Sequence, residues 1–547
     1  MCQYFEPAAH LQIERGLSFE AVVDSIGYGN LGKTLDYKAY ALGSRQAIVY
    51  EDAAGKICSY SFAQFNDRAN RYANLFAGKG IKKGDKVVVH LRNCPEYLFA
   101  WFGLAKIGAV MVPTNVLSTP PEMQHFINYS DAVAVVTQPD YLGLIREVLP
   151  ACQSLRELFL ARTSTSYPNA ELFPDVVLLD EMMGDVPAYP PEVAVSPDDD
   201  VLIIFSSSTN AQYSAVELTH ANAVFAGIFG AQVFKMTPED RDFMVLPLFH
   251  VNGLFISALP TITAGATLVM TEQFSASRYM EQVRRYNVTT ASLVGATVRM
   301  VLNQPAHELD GKNDLRLIKF AIPVSDEEWQ MFETRFNVRL CDLWGLTETL
   351  GATTINPLDG KLKRNCVGLP RLGNEVKIVD ESGAEAAVNT PGEMVVRGVP
   401  GRTIMKGYYK EPAATANIIR DGWVFTGDRG YMDEDGYFHF LDRIKNVIKR
   451  AGENIAAPEV EKVIAAYHKV KEVVVIAAPD PIRDEAMTAF IVVKDGQTCT
   501  EEDIIAWCSQ RLAKFKIPSF IKFRGSLPRD GTGAVAKDIL KREITTQ

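Results

Sequence analysis

Short apolar segments alternate with longer helical segments along most of this chain. The apolar segments include "KVVVHL", "VAVVT", "VLIIF" and "ATLVM", and "SYSFAQFNDRANRYANLFAGKG" is a typical helical segment. Parallel strands must be joined by crossover connections, and helices are the usual crossovers. The alternation therefore predicts an α/β chain built on parallel sheet, because few other folds need that order of elements.

The pattern of apolar and polar residues changes toward the carboxyl end. The segments "EVKIVD", "GEMVVRG" and "GYFHFLDR" alternate apolar and polar residues between Gly and Asp turns, which indicates a smaller antiparallel sheet. The last segment has its own helix and strand pattern, beginning near "APEVEKVIAAYH". A chain of 547 residues exceeds what one hydrophobic core usually serves, so we expect a large body and a separate, mobile small domain.

Composition excludes several classes of function. The net charge is -10 and the basic residues are scattered, which argues against nucleic acid as a partner. No window reaches the roughly 18 apolar residues of a membrane span, and the start "MCQYFEPAAHLQIERG" lacks a secretory signal. The eight cysteines form no C-x-x-C pair and have no histidine at metal-ligand spacing. We expect a cytoplasmic protein with reduced thiols and no metal.

Three motifs in fixed order carry the chemistry. They are "DLWGLTETLG" (342–351), "GWVFTGDRGYMDEDGYFHFLDR" (422–443) and "IKRAGENIAAPEVE" (448–461). Trp344 offers a flat face to a purine, Gly345 permits close backbone approach, and Thr347 can bond a phosphate oxygen. Asp428 can accept hydrogen bonds from ribose hydroxyls. Taken singly, each motif is also compatible with an ordinary turn or a solvated strand end.

In these motifs the chain resembles the adenylate-forming superfamily of acyl-CoA ligases, aryl-CoA ligases, luciferases and peptide-synthetase adenylation domains. The resemblance covers essentially the whole length. The segments "NCPEYLFAWFGLAKIGAVMVP" and "PIRDEAMTAF" are most similar to the carnitine and crotonobetaine CoA ligase branch. The resemblance implies a large domain at 1–441, with two α/β sheet subdomains and a small β-barrel-like subdomain. It also implies a hinge at 442–446 and a small α+β domain at 447–547.

The resemblance also implies roles for individual residues. His250 of "PLFHVNG" lies in that family beside the acyl pocket and the path of the thiol, although a histidine before a glycine turn is equally compatible with a structural role. The residues with implied catalytic roles are His250, Lys449 and Gly452, and the implied hinge residue is Lys445. The implied adenylate-binding residues are Trp344, Gly345, Thr347, Glu348, Asp428, Arg443 and Ala321. The residues implied to line the acyl pocket are Val251, Gly295, Ala296 and Leu346.

The phosphate-binding loop departs from the family pattern T-S-G-T-T-G-x-P-K-G. In "SSSTNAQYSAVELTH" (206–220), Ser208 replaces the first glycine, Asn210 a Thr or Ser, and Ser214 the lysine, while Thr209 remains. Near the end, in "LPRDGTGAVAKDILKR", Ala534 stands where the family has its adenylation lysine. Loss of one positioned donor at a developing charge costs on the order of a hundredfold in rate. Both departures affect the adenylation half-reaction.

The sequence therefore predicts an acyl-CoA ligase that performs only the second half-reaction, acyl-AMP + CoA to acyl-CoA + AMP. Coenzyme A would be the co-substrate, no metal would be required, and a separate adenylating enzyme would supply the acyl-AMP. The resemblance suggests a natural-product acyl group of the diterpenoid kind. The alternatives are a complete ATP-dependent synthetase with an atypical loop, a non-catalytic adenylate-binding pseudoenzyme and an engineered inactive mutant. The sequence identifies neither the base that activates the thiol nor the oligomeric state.

Overall fold

Two large sheets form most of the molecule. The computed structural model describes residues 28–161, 176–207, 213–321, 324–359, 362–364, 366–443, 447–528, 535 and 537–545. The first sheet is mainly parallel, with antiparallel strands at both edges. Its strands, in spatial order, are Leu369–Pro370, Thr354–Ile355, Arg339–Trp344, Leu317–Ala321, Thr290–Val294, Arg241–Met244, Thr267–Thr271, Gln46–Glu51 and Ile57–Ser61.

The second sheet is parallel in its centre, and near one edge the antiparallel hairpin strands Asp200–Ser207 and Tyr213–Thr219 include the described residues of the atypical phosphate-loop segment. In this hairpin Ser206 lies opposite Ser214. The strands, in spatial order, are Gly407–Tyr408, Tyr213–Thr219, Asp200–Ser207, Val110–Pro113, Lys86–His90, Ala132–Thr137, Glu157–Leu160 and Val177–Leu178.

Two antiparallel units follow, as the alternating carboxyl-terminal segments predict. The first contains Glu375–Val379, Gly392–Arg397, Trp423–Met432, Ile419–Arg420 and Phe438–Arg443. The second belongs to the small domain and contains Glu453–Ala456, Val447–Arg450, Asp484–Val493, Val470–Asp480 and Phe520–Arg524, the last strand pairing in parallel. The α/β fold with a large amino-terminal body and a smaller carboxyl-terminal domain is confirmed.

Helices cover both large sheets, and one strongly apolar helix lies inside the body. Every residue of Pro95–Lys106 except Glu96 is buried, which accounts for the run "PEYLFAWFGLAK". No helix among the described residues is long and apolar enough to cross a membrane. The α-helices are Leu31–Leu42, Phe62–Gly78, Pro95–Lys106, Pro120–Ser130, Leu142–Val148, Leu179–Met182, His220–Val233, Leu259–Ala264, Ala276–Arg285, Gly295–Leu302, Asp326–Phe336, Pro412–Ile418, Ala457–Ala465, Glu501–Ser509 and Lys537–Thr545, and Asn252–Ala258 is a π-helix.

The carboxyl ends of the parallel strands open onto one cavity. Pro113, Val294, Ala321 and Trp344, which end strands of both large sheets, line it. Side chains that follow strand ends in open α/β sheets commonly form ligand sites, because the adjacent loops leave a crevice there. The parallel-sheet architecture therefore places the site at this edge.

The small domain contacts the large domain beside that cavity. The ammonium group of Lys516 lies 2.5 Å from Glu122 of the large domain and 2.8 Å from Glu459 of its own domain, and its side chain is only 3% exposed. Arg299 pairs with Asp484 across the same interface. A buried cation between two carboxylates is costly to separate, so these contacts hold the small domain in the observed position.

Candidate active site

The cavity has a volume of about 990 Å³ and receives residues from both domains. His250, Trp344 and Asp428 line it from the large domain, and Lys449 and Gly452 line it from the small domain. Several groups implied by the separate motifs therefore meet in one place, although up to two hundred residues lie between them in sequence.

One end of the cavity contains a tryptophan and aspartate pair. The indole Nε1 of Trp344 donates a 2.8 Å hydrogen bond to Asp428 Oδ2, and both side chains are buried. A Cβ at Gly345 would lie 2.2 Å from the carbonyl oxygen of Gly351, so only glycine lets these two segments approach. Arg443 lies opposite Asp428 on the neighbouring strand. The indole thus fixes the carboxylate that the sequence assigns to the ribose.

Glu348 lies beside the phosphate-loop hairpin. Its Oε1 accepts hydrogen bonds from Tyr408 OH at 2.9 Å and from Ser206 Oγ at 3.3 Å. Thr347 and Ser214 line the same part of the cavity. The loop residues Ser208, Thr209 and Asn210 lie outside the described residues, as do Lys445 and Ala534. Among the described residues, the Glu348 carboxylate thus accepts its hydrogen bonds from neutral hydroxyl groups.

A histidine and a glutamate meet across the domain interface. His250 Nε2 lies 3.1 Å from Glu453 Oε2, and Asn115 donates a 3.2 Å hydrogen bond to Glu453 Oε1. Burial lowers the pKa of His250, but the Glu453 carboxylate outweighs it and the net direction is upward. Burial raises the pKa of Glu453, while His250 and then Lys516 lower it more. The pair therefore favours imidazolium and carboxylate.

The segment next to this pair is held close to the large domain. Gly452 has φ +90°, a left-handed conformation that favours glycine, and a Cβ there would lie 3.3 Å from Val294 Cγ2. The backbone N–H of Lys449 donates to Glu485 Oε2 at 2.6 Å, and its ammonium lies 4.2 Å from the centre of the Phe440 ring. A side chain at position 452 would narrow the passage between the domains.

Asp342 is a buried acid in the cavity lining. Its Oδ1 has no hydrogen-bond partner among the described residues, and burial raises its pKa well above the usual range, partly offset by Lys449. Burial thus favours the neutral form of this carboxyl group, which can donate a hydrogen bond.

The acyl-pocket residues implied by the sequence divide into two sets. Val251, Leu346 and the adenylate-region residue Ala321 line the cavity. Gly295 begins the helix Gly295–Leu302 and is buried, and Ala296 is fully buried against Leu246 and Val294. Val294 and Thr297 form the cavity surface at that helix.

Four contributors to the site were not identified from the sequence. Ser206 and Tyr408 donate hydrogen bonds to Glu348. Glu453 pairs with His250, and Asn115 donates a hydrogen bond to Glu453. Glu453 directly follows Gly452 in "RAGEN", so its proximity to the site was a readable signal. Tyr408 and Asn115 carry no comparable local pattern.

Within the described part of the chain, no group of three or more His, Cys, Asp or Glu side chains converges in a way that would hold a metal ion. The described cysteines are free thiols and most of them are buried.

Comparisons with known proteins place this geometry in a family. Residues 35–409 match the model of the AMP-binding enzyme family, and residues 459–534 match the AMP-binding enzyme C-terminal domain. The crotonobetaine/carnitine–CoA ligase of Citrobacter koseri is 37% identical over 523 residues, which cover 95% of this chain and 100% of that protein. The same-named ligase of Proteus mirabilis is 38% identical over 521 residues, with the same coverage of both chains.

Solved structures agree with the sequence comparisons. The Mycobacterium tuberculosis fatty acyl CoA synthetase has a TM-score of 0.69 at 26% identity, with 94% of this chain and 98% of that chain covered. The o-succinylbenzoate CoA synthetase of Bacillus subtilis, at 24% identity, supports the fold alone with a TM-score of 0.80, covering 93% and 98% of the two chains. The chain belongs to the AMP-binding, adenylate-forming enzyme family, in its acyl-CoA ligase group.

Proposed function

We propose that this protein is a non-adenylating acyl-CoA ligase, which converts acyl-AMP and CoA to acyl-CoA and AMP. The proposal includes a separate enzyme that supplies the acyl-AMP, no metal in this half-reaction, a diterpenoid type of acyl group and a cytoplasmic location. The phosphate-loop pattern resembles that of the non-adenylating ligase of platensimycin and platencin biosynthesis. The proposal also takes residues 442–446, with Lys445, as the hinge between domains 1–441 and 447–547.

The contact between His250 and Glu453 is the observation that carries the proposal. It joins the two domains and exists because the small domain presents Gly452 and its neighbours to the cavity. The family uses this glycine segment to admit the pantetheine arm of CoA, as the resemblance implies. A site arranged in this way is organised for attack by a thiol.

The same pair supplies the base that the sequence did not identify. Above its raised pKa, His250 is neutral and accepts the proton of the thiol, and Glu453 stabilises the imidazolium that results. The sulfur forms a bond to the acyl carbonyl carbon, and the bond from that carbon to the phosphate oxygen breaks. AMP leaves with the bonding electrons. An acyl-adenylate is a mixed anhydride, so positioning and proton removal suffice for this step.

The nucleotide end of the cavity fits the AMP part of the substrate. Asp428, fixed by the Trp344 indole, accepts hydrogen bonds from the ribose hydroxyls. Lys449 extends from the small domain toward the same cavity and supplies a positive charge for the phosphate. In this position of the small domain, Asp428 and Lys449 can therefore both contact the AMP part of the substrate, which is released as product.

The hairpin beside Glu348 supports the proposed loss of adenylation. Ser214 occupies the position where the family pattern has a lysine, and a hydroxyl cannot neutralise departing pyrophosphate. Glu348 accepts hydrogen bonds from Ser206 and Tyr408, which fix this carboxylate beside the hairpin. Without the family lysine, no cation at position 214 offsets the negative charge of the departing pyrophosphate.

The test compares two substrate sets by mass spectrometry. One set contains synthetic acyl-adenylates with CoA, and the other contains the free acids with MgATP and CoA, with terpenoid and small acids in both. We expect acyl-CoA from the adenylates alone. A Ser214→Lys, Ala534→Lys double variant tests the cause, since it restores the two family cations and should gain measurable pyrophosphate release from acid and ATP. Acyl-CoA and pyrophosphate from acids and MgATP with the unmodified protein would refute the proposal.

A complete ATP-dependent ligase is the second candidate. It is favoured by the 37% and 38% identity to proteins that bear the name ligase, over 95% of this chain. In that case other cations replace those lost at Ser214 and Ala534. Formation of pyrophosphate by the unmodified protein distinguishes this candidate from the first.

A further inference from the structure

We propose that the side-chain amide of Asn252 donates a hydrogen bond to an acceptor atom on the acyl group. The substrate is then a largely apolar acid that carries an oxygen function, such as a ketone, hydroxyl or ether, at the wall of the pocket. This inference rests on the proposed function and specifies its substrate class.

Asn252 is a polar residue in the part of the cavity that the acyl group would occupy. It begins the π-helix Asn252–Ala258, lies two residues after His250, is half-buried and lines the cavity. Its Oδ1 accepts a 2.8 Å hydrogen bond from Ser292 Oγ. No described residue bonds its Nδ2, so the two N–H groups of the amide are available to a ligand.

The sheet beneath fixes the π-helix from two sides. Ser292 lies opposite Lys319 on the neighbouring strand. The Lys319 ammonium donates a 3.2 Å hydrogen bond to the carbonyl of Ile256 in the middle of the π-helix, and Asp242 pairs with that ammonium at 2.8 Å. Lys319 and Asp242 are fully buried, and such a pair is retained only with close partners. π-Helical turns frequently occur at functional sites, and this one holds Asn252 in one place.

The walls around Asn252 are apolar and close together. A Cβ at Gly351 would lie 3.3 Å from Ile256 Cδ1 and 3.5 Å from Val251 Cγ2. Ile256, Val251 and Val294 all line the cavity. A purely hydrocarbon acyl group would cover the amide and leave its N–H groups unpaired, which costs affinity. An acyl group with an acceptor at this point pairs them and gains selectivity.

The test uses acylsulfamoyl-adenosines, stable analogues of acyl-adenylates, and therefore needs no turnover. The acyl part is a cyclohexane or decalin carboxylate, made as a parent compound and with an oxo group placed at each ring position in turn. Binding is measured by isothermal titration calorimetry. The variants are Asn252→Leu, which keeps the size and removes the donor, and Ser292→Ala, which releases the amide. Asn303→Leu is the matched control, because Asn303 is exposed outside the cavity.

We expect at least one oxo compound to bind about 10-fold to 100-fold more tightly than its parent. Asn252→Leu should abolish that ratio and Ser292→Ala should reduce it, whereas Asn303→Leu should leave it unchanged. Equal binding of every oxo compound and its parent would overturn the inference while the adenylate site stands. A ratio that survives in Asn252→Leu would also overturn it. No binding of any analogue would instead overturn the adenylate site of the proposed function.

Discussion

Replacing Glu453 by glutamine tests the link between the small domain and the chemistry. The variant keeps the size of the side chain and a hydrogen-bond acceptor but removes the charge 3.1 Å from His250 Nε2. Because that charge raises the pKa of His250, its removal lowers this pKa. The neutral base then appears at lower pH, while the imidazolium formed during thiol attack loses its counter-charge.

The magnitude follows from the distance and the exposure. Two unit charges about 3 Å apart interact by about 1 kcal/mol in water and about 5 kcal/mol at an effective dielectric constant of about 20. The His250 side chain is 37% exposed, so solvent screening places the interaction toward the lower value. A loss of about 1.4 kcal/mol corresponds to about a tenfold lower rate. We therefore expect kcat on its high-pH plateau to fall about tenfold.

The assay is thioester formation from a synthetic acyl-adenylate and CoA, followed across pH. Glu453→Gln should show both a lower plateau and a rise in rate that begins at lower pH than in the unmodified protein. Glu381→Gln removes a charge from an exposed position and should change neither. If Glu453→Gln keeps the plateau rate and the pH profile, His250 is not the thiol base held by this carboxylate.

Three further outcomes follow from the interface. Lys516→Met leaves two carboxylates facing each other and should destabilise the docked position by about 3–5 kcal/mol, seen as faster proteolysis between the domains, whereas exposed Lys514→Met should not. Gly452→Val should lower thioester formation at least tenfold while binding of an acylsulfamoyl-adenosine is kept, measured by kinetics and calorimetry. Docking, followed by small-angle scattering, should weaken as pH rises through the raised pKa of His250 or falls through the lowered pKa of Glu453.

Much of the architecture was predictable because it depends on local patterns. Alternating apolar and helical segments require crossover connections, and the structure has the corresponding parallel sheets. The motifs around Trp344 and Asp428 were each assigned to a nucleotide, and they lie in contact. What the sequence did not show is that the Trp344 indole bonds Asp428, because a hydrogen bond between residues 84 positions apart depends on the packing of two sheets.

The contact between His250 and Glu453 was less predictable than the position of either residue in the sequence motifs. His250 was singled out and Glu453 was not, although Glu453 adjoins Gly452. Their contact depends on how the small domain docks. The docked position depends in turn on pairs that are far apart in sequence, such as Lys516 and Glu122. Asn252 carried no signal either, since its role depends on a π-helix fixed by Ser292 and Lys319 on neighbouring strands.

The two half-reactions depend on different residues of the cavity, and the proposed loss of one half-reaction without the other follows from that difference. Pyrophosphate departure needs cations and backbone donors at the hairpin near Ser214, whereas thiol attack needs His250, Glu453 and a narrow approach past Gly452. No side-chain hydrogen bond among the described residues joins Ser206 or Ser214 to His250 or Glu453, and effects at residues without shared partners are close to additive. Under the proposed function, loss of the phosphate-binding residues therefore leaves the residues assigned to thioester formation unchanged. An acyl-adenylate made by another enzyme would then meet a site in which His250, the proposed thiol base, already lies in contact with Glu453.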